Sequence, residues 1–437
     1  MAQLIQPRVL KGFRDFLPAA EIERADLMEK ITRVYRSFGF VPIDTPVLEY
    51  TEILLRKSNG ETEKQVFRFE DNGGRDVALR FDLTVPFARF TAEHVSELYF
   101  PFKRYHMAKV WRGEKPQAGR YREFVQCDID TVGSDSAAAD FEILSVMRTA
   151  LYAIGVENIT IHVNHRGIFN RFLAKLGMSE KSEDILRSVD KLAKVGKDEV
   201  LKELTEYCGS AATAGEILTY IAGAESGTFE DTLDLIEQLA GGAGDDTARM
   251  REIRAMMKAA GIEATYVLDP SITRGLDYYT GIVYETFLND LPSIGSVCSG
   301  GRYDNLAGLY MKQKVPGVGA SIGLDRLIAG LEQLGKTKSK GSYLDAEIFC
   351  VDASLAIHYQ AVASELRSLG VQVEVFPDAK KLGQQYAVTD AKDVTWGILI
   401  GKEEALSGKL TLKNLKTREQ YVGYTASEAA AKIQETV

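Results

Sequence analysis

At 437 residues and 45% apolar content, the chain can bury a large core, and its length favours two or three domains. A formal net charge of -9 argues against a general nucleic-acid binder, whose affinity would come from neutralising phosphates, so any RNA contact must be local. No apolar run is long enough to span a bilayer, the N-terminus lacks a charged-then-apolar leader pattern, and Cys127, Cys208, Cys298 and Cys350 form no CxxC pair, so a reducing cytoplasm without structural zinc is expected.

Residues 1 to 18 end in KGFRDFLP, where Gly12 and Pro18 interrupt any helix, so an extended arm is expected. From Glu21 to Phe38 the residues Leu27, Met28, Ile31, Val34, Tyr35 and Phe38 recur at helical spacing, which predicts an amphipathic helix. FVPIDTPVLEY, residues 40 to 50, reads as an edge or interface strand, because Pro42 and Pro46 cannot donate to a ladder. VFRFED and DVALRF form a hairpin through Asn72, Gly73 and Gly74, and Asp82 or Thr84 then caps a helix beginning near Val85.

Tyr105 to Trp111 and Glu123 to Val132 alternate as strands, and the stretch between them carries Gly113, Pro116 and Gly119, so a strand, a long turn and an antiparallel return are predicted. On the return strand Val125, Cys127 and Ile129 share one face, and Phe124, Gln126, Asp128 and Asp130 share the other. An amide and two carboxylates on one face of a central strand are costly unless they line a cleft, and Arg112, Arg120 and Arg122 stand at its mouth. Guanidinium forks suit phosphate oxygens and stack on flat rings, so the cluster suggests a polyanion beside a small cationic or polar ligand; the bland alternative is a surface hairpin with solvated charges.

Asp140 to Ile154 is predicted as a helix and Ile159, Ile161 and Val163 as a strand, after which an Ala-, Glu- and Lys-rich stretch reads as a helical insertion. Strand patterns then return around a polar turn, Arg274 to Gly281, and around Gly300 and Gly301. Glycines 317, 319 and 323 run into a helix with Arg326 in its first turn; GxxxxGK[ST] is absent, so these glycines read as tight strand-on-helix packing. Beyond the basic linker KTKSKGS, a βαβαβ alternation predicts a compact domain with a largely parallel sheet.

In this order the segments resemble the histidyl-tRNA synthetases, a class II aminoacyl-tRNA synthetase family, over essentially the whole chain. KGFRDFLP is similar to the family's N-terminal segment, FGFVPIDTPVLE with Pro46 to class motif 1, LRFDLT to the substrate segment, WRGEKPQAGRYREF to motif 2 and GLDRL to motif 3; TRGLDYYTG and SGGRYD resemble the two segments peculiar to the histidine enzymes. The resemblance implies an α+β catalytic domain on an antiparallel sheet (1–170 and 262–335), a helical insertion (171–261), a linker (336–343) and a C-terminal α/β anticodon-binding domain (344–437).

It also implies a cytoplasmic ligase that activates L-histidine with ATP and transfers it to the 3' end of tRNA(His). Such an enzyme is a homodimer through the segment around Pro46, with Mg2+ accompanying ATP and no metal ligand assigned on the protein. By the same resemblance Arg112 and Arg274 are catalytic. Arg112 holds the α-phosphate and the histidine carboxylate, Arg274 lies near that phosphate, Phe124 and Arg326 sandwich the adenine, and Arg120 faces the outer phosphates. Asp82, Leu83, Thr84 and Gln126 surround the α-amino end of histidine, while Asp130 and Tyr278, with Tyr279 beside them, read the imidazole. Many members carry glutamate at the positions of Asp82 and Asp130, so backbone or water must make up about one methylene. The alternative is a synthetase-like regulatory subunit of ATP phosphoribosyltransferase, but such relatives generally lack the C-terminal domain and parts of the histidine segments, both kept here.

Overall fold

The protein is described from a computed structural model covering residues 4–55, 61–189, 192–223, 227–272, 278–337 and 340–436. The chain divides into two compact units, one formed by the residues up to Arg14 with Leu27–Lys336, the other by Asp15–Asp26 with the residues from Thr337 onward.

Eleven strands among the described residues of the first unit are β1 (Val41–Pro42), β2 (Leu48–Tyr50), β3 (Arg68–Glu70), β4 (Asp76–Leu79), β5 (Phe102–Trp111), β6 (Glu123–Val132), β7 (Ile159–His165), β8 (Tyr266–Leu268), β9 (Ile282–Leu288), β10 (Cys298–Arg302) and β11 (Gly317–Gly323). Eight of them make one sheet in the order β1-β5-β6-β11-β10-β9-β7-β8, antiparallel except for the outermost pairs β1·β5 and β7·β8. The segment expected as one strand over residues 40 to 50 is split at its prolines: β1 joins this sheet, while β2 joins β4 and β3 in a small separate one. That split follows from the missing proline donors, which prevent a continuous ladder.

The alternation read on the return strand holds. Val125, Cys127 and Ile129 enter a buried cluster with Leu27, Ile31 and Tyr35 of helix Pro18–Ser37 and with Ile143, Leu144 and Met147 of helix Ala137–Ala153. Tyr35 adds a hydrogen bond from its hydroxyl to the Cys127 carbonyl, 3.0 Å away, so this buried polar tip is satisfied. The same cluster continues through Phe169, Phe172, Ile217, Tyr220, Ile236 and Met250, so the helices between 182 and 259 share their core with the sheet. On the opposite face a smaller cluster of Phe87, Phe102, Tyr278, Tyr303 and Leu306 closes over one end of β5 and β6.

In the second unit β12 (Ala346–Ile348), β13 (Val373–Val375), β14 (Trp396–Leu399), β15 (Leu410–Asn414) and β16 (Gln420–Tyr424) lie in the order β13-β12-β14-β15-β16. Only β13·β12 and β12·β14 are parallel; β14·β15 and β15·β16 are antiparallel. The expectation of a largely parallel sheet is therefore corrected to a mixed one: β15 and β16 are joined by the short turn around Leu415–Glu419, too short for a parallel crossover. Ile348, Tyr359, Leu366, Trp396, Ile398 and Leu412 form the core of this unit.

Candidate active site

The outer end of the β5–β6 hairpin is cationic. Arg112 donates through Nε to the Phe81 carbonyl at 2.9 Å, and its guanidinium carbon lies 5.2 Å from the Phe124 ring centre. Arg120 reaches Glu114 at 3.3 Å, and Arg326, in the first turn of helix Leu324–Gln333, donates to the Ser296 carbonyl at 2.7 Å. These side chains line, with Phe124, Gln126, Ser299 and Ser321, an open cleft enclosing about 630 Å³, part of it open to solvent. Burial, then the neighbouring charges of Arg120 and Arg112, pulls Arg326 down to about 10.

Arg122 behaves differently from the other arginines of the turn. Its Nε donates to the Glu114 carbonyl at 3.2 Å, its Nη1 to Lys11 at 3.3 Å, and its backbone N–H to Gly12 at 2.8 Å, so it fastens the N-terminal arm instead of facing the cleft. The arm's Arg14 stacks 3.8 Å over Tyr121 and pairs with Asp325, whose other oxygen accepts the Val125 N–H at 2.6 Å. Arm, hairpin and the helix bearing Arg326 are thereby held in one register.

The inner end is acidic and dry. Asp82, Asp128 and Asp130 are 1%, 1% and 2% exposed, so they do not line an open cleft as the strand pattern suggested. Asp82 accepts the Val85 N–H at 3.1 Å through Oδ1, capping the helix, and the Tyr278 hydroxyl at 3.2 Å through Oδ2. Thr84 opens the helix Thr84–Glu93, and Leu83 beside it is fully buried. Gln126 donates to Ser321 Oγ at 2.8 Å, and its buried Oε1 is without a hydrogen bond.

Asp130 accepts the Tyr303 hydroxyl and faces Arg104 Nη2 at 2.7 Å. Tyr278 binds Asp82, not Asp130, and packs edge-on to Tyr279 and Tyr303 at 4.9 and 5.9 Å. Desolvation raises all three carboxyls, Asp128 to about 7 and Asp130 to about 6, against the opposing pull of Arg104. Arg112 lowers Asp82, a sign that the two ends are electrostatically in reach. Arg274 lies outside the described residues.

Glycines 317 and 319 serve this end and not helix packing. Gly319 lies opposite Asp130, where a Cβ would meet Asp130 Oδ1 at 1.9 Å, and a Cβ on Gly317 would meet the Tyr303 ring at 2.4 Å. Sequence reasoning also missed Arg104 and Tyr303. A signal for Arg104 existed: with Trp111 paired to Glu123, counting back along the hairpin sets Arg104 opposite Asp130 and His106 opposite Asp128. Arg302, next to Tyr303, is anchored to Asp140 at 2.7 Å and Asp304 at 3.0 Å, and Asp140 also binds Arg249 of helix Asp245–Ala259 at 2.6 Å. Among the described residues no group of three or more His, Cys, Asp or Glu could hold a metal ion, and no helix is long and apolar enough to cross a membrane.

A cationic cleft and a buried cluster of acids and tyrosines at the two ends of one strand agree with comparison to known proteins. The family model for histidyl-tRNA synthetase matches residues 12–327. The chain belongs to the histidyl-tRNA synthetase family. A model for an anticodon binding domain matches residues 346–436. Among relatives in this family, histidine–tRNA ligase of Treponema denticola is 61% identical over 99% of both chains. The one of Rhodopirellula baltica is 48% identical over 99% of this chain and 98% of that protein. The crystal structure of histidyl-tRNA synthetase from Nostoc sp. PCC 7120 superposes with a TM-score of 0.89 at 32% identity, covering 99% of this chain and 100% of that one. The class II synthetase fold, a catalytic domain on an antiparallel-rich sheet followed by an anticodon-binding domain, is the fold of this chain.

Proposed function

We infer that this chain is a histidine–tRNA ligase, which joins L-histidine to AMP and then to the 3' end of tRNA(His). The observation that carries the reading is the pairing of an arginine-lined cleft with a buried acid-and-tyrosine pocket on one face of β6, in a chain of this family. Attack of the histidine carboxylate on the α-phosphorus gathers negative charge there, so the fixed guanidiniums of Arg112 and Arg274 stabilise the transition state more than the ground state. Phe124 and Arg326 would hold the adenine between ring and guanidinium, and Arg120 would meet the outer phosphates. Mg2+ would arrive with the nucleotide as part of the substrate, since its phosphates bring the hard oxygens it prefers.

Asp82, Thr84 and the free Gln126 Oε1 would receive the α-amino group, with Leu83 as an apolar wall. Asp130, Tyr278 and Tyr279 would surround the imidazole, and a pocket of this kind rejects analogues that leave its buried polar groups unpaired. The shorter acids fit because Asp82 and Asp130 are braced by donors on the protein itself, Val85 and Tyr303. Lys380, Lys381 and Lys413 of the second unit are the proposed phosphate contacts for tRNA. Val47, Leu48, Tyr50 and Phe69 expose apolar surface on and beside the small β2-β4-β3 sheet, which suits a homodimer contact around Pro46 in the cytoplasm. The test is pyrophosphate exchange into ATP: it should depend on histidine and fail with every other standard amino acid. Folded protein without histidine-dependent exchange would leave only the regulatory-subunit alternative.

A further inference from the structure

Three carboxyls and one guanidinium share the dry end of β6. Asp128 and Asp130, two residues apart on one face, both address Arg104: its Nη2 lies 2.7 Å from Asp130 Oδ2 and 4.0 Å from Asp128 Oδ2. Arg104 has no exposed surface, rests 4.5 Å over the Phe87 ring, and donates to the Leu83 carbonyl at 3.1 Å. The contact with Asp130 is close but off the N–H direction, so Asp130 Oδ2 makes no hydrogen bond, and neither does Asp128 Oδ1. Two buried acceptors, on carboxyls two residues apart, are thus left without a hydrogen bond.

Among the described residues, charged and titratable groups face Asp128 from several neighbouring elements. On β5 stand Arg104 and, directly opposite, His106, which burial and the charges of Arg104 and Arg80 push down to about 4, so it is neutral. Asp82 and Arg80 approach from the segment after β4, Ser321 from β11, Cys298 from β10, and the phenols of Tyr279 and Tyr35 complete the shell; burial raises the thiol and both phenols, so none is an anion. Among the described residues the remaining cations are Arg104 and Arg80, and Arg80 is turned to the Thr45 and Lys109 carbonyls.

We propose that Asp128 is a positioning residue for histidine recognition: by sharing Arg104 with Asp130 it keeps that guanidinium from neutralising Asp130, so the pocket stays net negative toward the N–H groups of the ligand. The proposal rests on the ligase reading and deepens it. Burial holds part of the Asp128 population protonated near neutrality, and a ligand bringing an ammonium and a ring N–H favours the ionised form. Histidine binding then expels a proton from the enzyme, and its affinity falls as pH drops through about 7.

Calorimetric titration of the wild-type protein with histidine at pH 7, in two buffers of different ionisation heat, should show release of about half a proton per site. The same titration of Asp128→Asn cancels any proton the ligand's imidazole gains or loses, and equal release by wild type and variant overturns the proposal. Asp128→Asn should raise KM for histidine about tenfold, leave KM for ATP unchanged and flatten the acid limb of kcat/KM for histidine. Free histidine titrates identically in both assays, so the difference belongs to the enzyme. The ligand-free variant should also melt about 3 °C higher at pH 8, because a desolvated charge has been removed. An unaltered histidine KM and pH profile, with a lower Tm, would make Asp128 merely structural and sink the idea. Loss of histidine-dependent exchange in the wild type would instead strike the ligase reading itself.

Discussion

At the Phe124 end of β6 the charged side chains are partly solvated and cations outnumber acids, whereas at the Asp130 end, six residues or about 20 Å along the strand, they are out of water and tied to one another. Arg112, Arg120 and Arg326 repel one another until a polyanion arrives, and solvent makes that repulsion cheap to maintain. Asp82, Asp128 and Asp130 have no solvent to rely on, so their placement depends on Tyr278, Tyr303 and Arg104. A cleft end that binds a strong anion can leave its charges open, while an end that must discriminate a small ring has to hold its charges by internal contacts. Damage at the first end should therefore appear as lost chemistry, and damage at the second as lost histidine selectivity.

The largest effect is expected for Arg112→Ala. Removing a guanidinium proposed to hold the reacting phosphate should lower kcat/KM in pyrophosphate exchange by about a thousandfold, with Tm shifted by no more than about 2 °C. A loss confined to KM for histidine would erase the distinction between the ends. Next comes Gly319→Ala, which puts a methyl where the Asp130 carboxylate lies. KM for histidine should rise about a hundredfold while KM for ATP stays within about twofold, measured by the same assay. Smallest is Tyr303→Phe: with one donor to Asp130 gone, KM for histidine should rise about tenfold and kcat should change little, consistent with loss of one charge-assisted hydrogen bond. An equal rise in KM for ATP would show that Tyr303 supports the whole cleft.

The cationic end was the more legible of the two. WRGEKPQAGRYREF places its arginines in a turn between strands, and an exposed turn keeps its local character in the fold, although Arg122 proved to secure the arm. The dry end was half legible: the alternation named Asp128 and Asp130 correctly as one face, but not their partners. Arg104 sits just before the stretch read as strand, and Tyr303 is more than 170 residues from Asp130 in the chain, joined to it only through the β6·β11·β10 pairing. In the second unit the helices Ala356–Ser368 and Leu382–Ala391 and the strands β12 to β15 followed their patterns, while the helices Lys402–Ser407 and Ala426–Gln434 and the strand β16 escaped notice, β16 because a short exposed strand has little periodicity to read.

The amino-acid order by itself determined which residue types occur together, which face of each strand they share, and the succession of segments that relates this chain to its family; these are local properties, set by backbone geometry and spacing. Only the tertiary structure decided that the carboxyls are buried, that one guanidinium serves two of them, and that glycines make the room they occupy. Burial and pairing depend on what covers a surface, and here the cover comes from strands far apart in the chain.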